Sequence, residues 1–110
     1  MRNKYIDIIY DESLAVPETA KTNEYSSIIE KTFNTYISKN IDYGDSFAEL
    51  YNKFGLLSTV IRLTDKIKRL ESLVEGEQQV DDESVDDTLE DLINYAIMTL
   101  IERRLDNDKT

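Results

Sequence analysis

Cysteine and histidine are both missing from the chain. Without Cys there are no disulfides and no thiolate chemistry, and a reducing compartment is compatible with that. Without His the usual general base near neutral pH is gone, and so is the commonest transition-metal ligand. Any catalysis would fall to carboxylates, Lys, Arg, Tyr or a bound ion, and the sequence names no catalytic residue. One Pro and three Gly leave little material for hairpin turns, which favours long helices over many short strands. No apolar run approaches the roughly 20 residues of a membrane span. Acid already at Asp7 does not suit a signal peptide. The expectation is a soluble, cytoplasmic protein with no membrane partner.

The chain is rich in negative charge: 23 acidic against 13 basic residues give a net charge of -10. Such a field repels nucleic acid and anionic lipid, so direct nucleic-acid binding is not expected. It can gather divalent cations, or mimic nucleic acid toward a basic partner. A hydrophobic content of 40% beside 33% charge is that of a globular protein. Its 110 residues suit one domain with one modest core.

Residues 1–21 read as an N-terminal arm or short helix, residues 22–105 as an all-α core domain, and residues 106–110 as a flexible polar tail. From about Thr22, Tyr25, Ile28, Ile29, Thr32, Phe33, Tyr36 and Ile37 recur at steps of three and four. That period predicts an amphipathic helix with these residues facing a core. It is expected to stop near Asn40, where Asn40 to Asp45 hold turn formers. Ser46 and Glu49 read as a capping box. Phe47, Leu50, Tyr51 and Phe54 would face inward from a short helix ending at Gly55. The next helix, Leu56 to about Val74, has Leu57, Val60, Ile61, Thr64, Ile67 and Leu70 as its expected core stripe. Ser58, Arg62, Asp65, Arg69 and Ser72 form its polar line. Ser84 with Asp87 predicts the start of a last helix to about Leu105. Its stretch Leu92–Ile101 is apolar nearly all round, so burial on several sides, by the bundle or by a second subunit, is expected.

Glu83, Asp87, Asp91 and Asn94 follow at steps of four, four and three on that last helix. No Lys or Arg lies between Leu70 and Glu102, so the ridge has no cation of its own helix to neutralise it. A short connection makes the last two helices an antiparallel hairpin. Folding about Gln79 brings Arg69 level with Leu89 and Asp65 level with Ile93, so Asp65 is expected to meet Asp91 and Asn94. Two outcomes are open. Asp65, Glu83, Asp87 and Asp91 can share Mg²⁺, with Arg62, Lys66 and Arg69 gripping phosphate oxygens and a metal-bound water attacking a phosphoanhydride. Alternatively Arg62 and Arg69 pair with Asp87 and Asp91 as a structural network. Asn94, polar inside an apolar run, must find a partner either way. The turn Tyr43-Gly44-Asp45-Ser46 can approach a ligand through its glycine, which adds Tyr43 to Arg62, Lys66, Arg69 and Asn94 as nucleotide-binding candidates.

The segments Asp42-Tyr43-Gly44-Asp45-Ser46, Arg62-Leu63-Thr64-Asp65-Lys66 with Arg69-Leu70, and Asp82-Glu83-Ser84 through Asp87-Thr88-Leu89 to Asp91-Leu92-Ile93-Asn94-Tyr95-Ala96-Ile97 stand in an order that resembles the nucleotide-modification-associated domain 1 family. This is a family of small all-α phage and prophage proteins. The resemblance covers roughly residues 24 to 105 and implies work on nucleotides in a phage-infected or lysogenic host cell. The acidic ridge also looks like half of the metal site in all-α nucleoside triphosphate pyrophosphohydrolases of the MazG type. Those enzymes carry Glu-Glu-x-x-Glu on the partnering helix, whereas this chain has Asp65 among basic residues.

Three functions are consistent with these features. The first is a Mg²⁺-dependent nucleoside triphosphate pyrophosphohydrolase-like domain. The second is a non-catalytic protein that sequesters a nucleotide or other phosphorylated small molecule, of phage anti-defence type. The third is an acidic nucleic-acid mimic that inhibits a host protein. A homo-oligomer, dimer or tetramer, is expected from the apolar girth of the last helix.

Overall fold

A computed structural model describes residues 18–43, 45–76 and 82–109, with side chains at 18–40, 45–76 and 84–106. The expected arm or short helix before Pro17 lies outside the described residues, as do Gly44 and the side chain of Tyr43. Every described element is helical: α1 (Ala20–Tyr43), α2 (Ser46–Phe54), α3 (Leu56–Glu75) and α4 (Asp82–Lys109). The all-α class and the C-terminal hairpin are therefore as the periodicity predicts. The chain forms two compact units, Met1–Lys39 and Asn40–Thr110.

In the first unit α1 starts ahead of Thr22, because Thr19 and Thr22 cap it reciprocally. The Thr22 backbone N–H donates to Thr19 Oγ1 at 3.1 Å and the Thr19 N–H donates to Thr22 Oγ1 at 3.0 Å. This is a capping box with Thr where Glu or Gln is usual. The helix also runs past Asn40 to Tyr43, so the turn formers there do not break it. The expected core stripe is only partly covered. Ser26 and Thr32 are buried, while Tyr25, Ile28, Phe33 and Ile37 are exposed. The buried hydroxyls donate to carbonyls of the preceding turn, Ser26 to Asn23 at 2.9 Å and Thr32 to Ile28 at 3.0 Å. Those bonds satisfy them within their own helix.

In the second unit Asp45, not Ser46, stands at the N-cap of α2, and no side chain caps it. The expected capping box is absent because Ser46 already lies within the helix. Phe47, Ala48 and Tyr51 are buried, whereas Leu50 and Phe54 are exposed. Gly55 ends α2 and begins α3 with φ 64° and ψ -148°, a conformation that only glycine adopts readily. Its N–H donates to the Tyr51 carbonyl at 2.7 Å, and its own carbonyl accepts from the Ser58 N–H at 3.1 Å and Ser58 Oγ at 2.8 Å. One residue thereby closes one helix and opens the next.

α3 ends on Gly76, whose φ of 78° is the left-handed C-cap. α4 begins at Asp82, so Ser84 is inside the helix, and its carbonyl accepts from Thr88 Oγ1 at 2.7 Å. α4 continues to Lys109, into the segment read as a tail. The main correction concerns the faces of α3. Ser58, Thr59 and Leu73 are buried and Arg62 and Lys66 half-buried, whereas Leu57, Val60, Ile61 and Ile67 are exposed. α3 is turned so that its polar side meets α4. The stretch Leu92–Ile101 is covered on one side only: Thr99 is buried and Ile93, Ile97, Leu100 and Ile101 are exposed.

Candidate functional site

Thr59, Arg62, Lys66 and Leu73 share the inner face of α3 because their spacings of three, four and seven residues keep returning to it. On α4, Thr88, Asp91, Tyr95 and Thr99 are spaced by three, four and four. The two antiparallel rows meet as rungs. Thr59 and Thr99 hydroxyls lie 2.8 Å apart in a buried contact. Thr99 Oγ1 also approaches the Tyr95 carbonyl at 2.7 Å. A carbonyl can only accept, so Thr99 donates to it and Thr59 donates to Thr99. One rung further, the Arg62 guanidinium stands 5.4 Å from the ring centroids of both Tyr95 and Phe47. Those rings are near-parallel at 14° with centroids 6.2 Å apart. Next, Lys66 Nζ pairs with Asp91 Oδ2 at 2.9 Å, each side chain 26% exposed. Leu73 is 2% exposed.

The hairpin register is close to the one expected, since Asp65 level with Ile93 lies within a residue of each rung. The rotation of α3 is different. Asp65 is exposed, and Lys66 holds the place opposite Asp91 that the sequence reading gave to it. Lys66 thereby meets one carboxylate of the α4 ridge, which has no cation of its own helix. Arg69 and Asp87 are exposed. Asn94 is half-buried and partnered, as an amide within an apolar run must be. The side chains of Glu83 and Tyr43 lie outside the described ones.

Arg62 and Lys66 are thus drawn together with Asp91, Tyr95 and Phe47, while Asp65, Asp87 and Arg69 are not drawn in with them. Phe47 was expected to face inward, and Tyr95 to lie within the apolar stretch Leu92–Ile101. Their link to Arg62 was visible in principle, because an Arg with no acid opposite it needs a π-face or a water. Among the described residues no three carboxylates gather where they could hold a metal ion, and Asp91 is already engaged by Lys66. The seam does present two fixed cations, an aromatic pair and a carboxylate that another anion could displace.

No helix among the described residues is long and apolar enough to cross a membrane. No curated protein and no solved structure matches this chain. The family described as Nucleotide modification associated domain 1 matches residues 39–102, the span that carries α2, α3 and all of the rungs.

Proposed function

Because the chain belongs to the nucleotide modification associated domain 1 family, we propose that it binds a nucleotide or a closely related phosphorylated small molecule at the α3–α4 seam. Arg62 and Lys66 would serve as the phosphate-facing cations. The observation that supports this reading is the placement of two cations on the inner face of a hairpin in a protein of net charge -10. On a solubility argument alone those charges belong outside. Lys66 and Asp91 are each partly open to water, so an arriving phosphate can take Lys66 from a single carboxylate. A phosphate carries more charge and more acceptor oxygens than Asp91 does. Arg62 is held by Phe47 and Tyr95 with its planar fork pre-oriented, which lowers the ordering cost of a bidentate contact. Binding without turnover is the reading we favour.

The test is thermal stabilisation and calorimetry with mono-, di- and triphosphates of each nucleoside and with cyclic nucleotides, with and without Mg²⁺. The binding mixtures are then assayed for released pyrophosphate. A cognate nucleotide raises the Tm by mass action and is recovered unchanged. Lys66→Ala weakens it by about tenfold or more, about 1.4 kcal/mol. Asp91→Asn removes the competitor and tightens binding severalfold. No stabilisation by any nucleotide overturns the proposal. Weaker binding in Asp91→Asn, only when Mg²⁺ is present, replaces it with a metal-dependent reading, and pyrophosphate release makes that reading a hydrolase.

A further inference from the structure

We infer that the Tyr95 hydroxyl recognises the nucleoside part of the ligand. A nucleotide then lies along the seam with its nucleoside at the Tyr95 rung and its phosphate toward Lys66. The inference rests on the nucleotide reading of the seam, and adds to it an uncharged contact and a direction.

Two side chains of the rungs have unused hydrogen-bonding capacity, and they are neighbours. Arg62 is half-buried and its charge is met by ring faces, while among the described residues no group accepts from its N–H donors. The Tyr95 hydroxyl likewise bonds to no described group, although its ring is half-buried. A buried tyrosine hydroxyl usually has a partner. Neither group is sealed from water, because among the described residues Asn23 Oδ1 is the one buried side-chain polar atom left unpartnered. Arg62 and Tyr95 therefore both offer open hydrogen-bonding atoms from a single rung.

The two rungs hold their cations differently. Lys66 is met by a carboxylate at 2.9 Å. Arg62 is met by Phe47 and Tyr95, in a chain with 23 acidic residues. A π-face holds a guanidinium by its plane and leaves the donors on its edge free, whereas a carboxylate would occupy them. The Tyr95 rung thus combines aromatic carbon, a free donor edge and a phenol hydroxyl that both donates and accepts. Apolar surface with a few placed polar groups is what fixes the orientation of a small ligand. It suits a flat base and sugar hydroxyls better than a further phosphate, to which a phenol offers no charge. Arg62 and Lys66 are one turn of α3 apart, about 6 Å at 1.5 Å per residue, and Tyr95 and Asp91 are one turn of α4 apart. Arg62 therefore stands between the two ends of the ligand, its edge turned to the phosphate nearest the sugar.

The experiment is calorimetry on the full chain, wild type against Tyr95→Phe, which removes the hydroxyl and keeps the ring beside Arg62. The probes are the nucleotides of the panel above in ribo and deoxy form, ribose 5-phosphate and inorganic triphosphate. Circular dichroism follows folding. Tyr95→Phe is expected to weaken the best-binding nucleotide by about three- to tenfold, the loss of one neutral hydrogen bond, and to leave inorganic triphosphate unchanged. Lys66→Ala is expected to weaken both. A loss that extends to ribose 5-phosphate puts the contact on the sugar, and one confined to base-bearing probes puts it on the base; either supports the inference. An equal loss for inorganic triphosphate overturns it. Nucleotides that bind equally to both proteins overturn it too and leave the nucleotide reading standing, whereas a wild type that binds no probe overturns that reading and the inference together. If Tyr95→Phe fails to fold, wild type decides alone: nucleotide binding no tighter than that of inorganic triphosphate overturns the inference.

Discussion

α3 turns Thr59, Arg62, Lys66 and Leu73 toward its neighbours in the fold and leaves Leu57, Val60, Ile61 and Ile67 in water. In most bundles these chemistries are exchanged. The two faces differ in how they are stabilised. Beside buried Leu73, the inner face is held by directional contacts: a shared hydroxyl, a guanidinium over two rings and one ion pair. These contribute roughly 0.5–2 kcal/mol each and depend on geometry. The outer face is non-directional, and each of its half-exposed side chains has about 1 kcal/mol to gain from burial. The inner face therefore fixes the register of the hairpin through its polar contacts and anchors it through Leu73.

The sharpest way to break the inner face is at its apolar anchor. Leu73 is 2% exposed, and Leu73→Ala removes most of a packed side chain from a small core. The expected loss is about 2–5 kcal/mol, read as a lower midpoint in urea unfolding. A loss below about 0.5 kcal/mol, the range of surface sites, would mean that α3 does not bury this face.

A smaller effect tests the hydroxyl rung. Thr99→Val leaves the buried Thr59 O–H without its acceptor, at a cost of about 1–3 kcal/mol. Replacing both by Val removes the donor with the acceptor, so the double variant should be more stable than Thr99→Val alone. A strictly additive cycle would show that the hydroxyls, 2.8 Å apart, are not coupled.

Element identity was legible in the sequence because it depends on local chemistry. The run from Leu56 to a left-handed Gly76, and Gly55 as a stop, follow from helical period and glycine alone. The antiparallel register was legible for a related reason: a short connection leaves few ways to pair two helices. The rotation of α3 was not. Periodicity marks two faces but does not say which one meets the neighbour, and the usual assumption sends Leu57, Val60 and Ile61 inward. The cue against it lay in another helix, where Asp87, Asp91 and Asn94 follow at steps of four and three with no nearby cation. Asp65 was placed at the seam by that same assumption, one residue away from the Lys66 that occupies it. Likewise the Thr19–Thr22 cap escaped notice because Thr was not weighed as the returning partner in a capping box.

The smallest expected effect bears on the outer face. Leu57 is 59% exposed. At sub-micromolar protein Leu57→Ser should shift stability by no more than about 0.5 kcal/mol, as surface substitutions do. At higher protein the two part if this face joins the copies of the expected homo-oligomer. Association stabilises the folded state by mass action, so the wild-type Tm would then climb with each tenfold rise in concentration. The Tm of Leu57→Ser would stay flat, or climb far less. Differential scanning calorimetry across three decades of concentration reads both limbs. Equal slopes would return Leu57 to the class of scattered surface leucines that need no explanation. Unequal slopes with equal low-concentration values would show that the inner face folds the hairpin and the outer face assembles it.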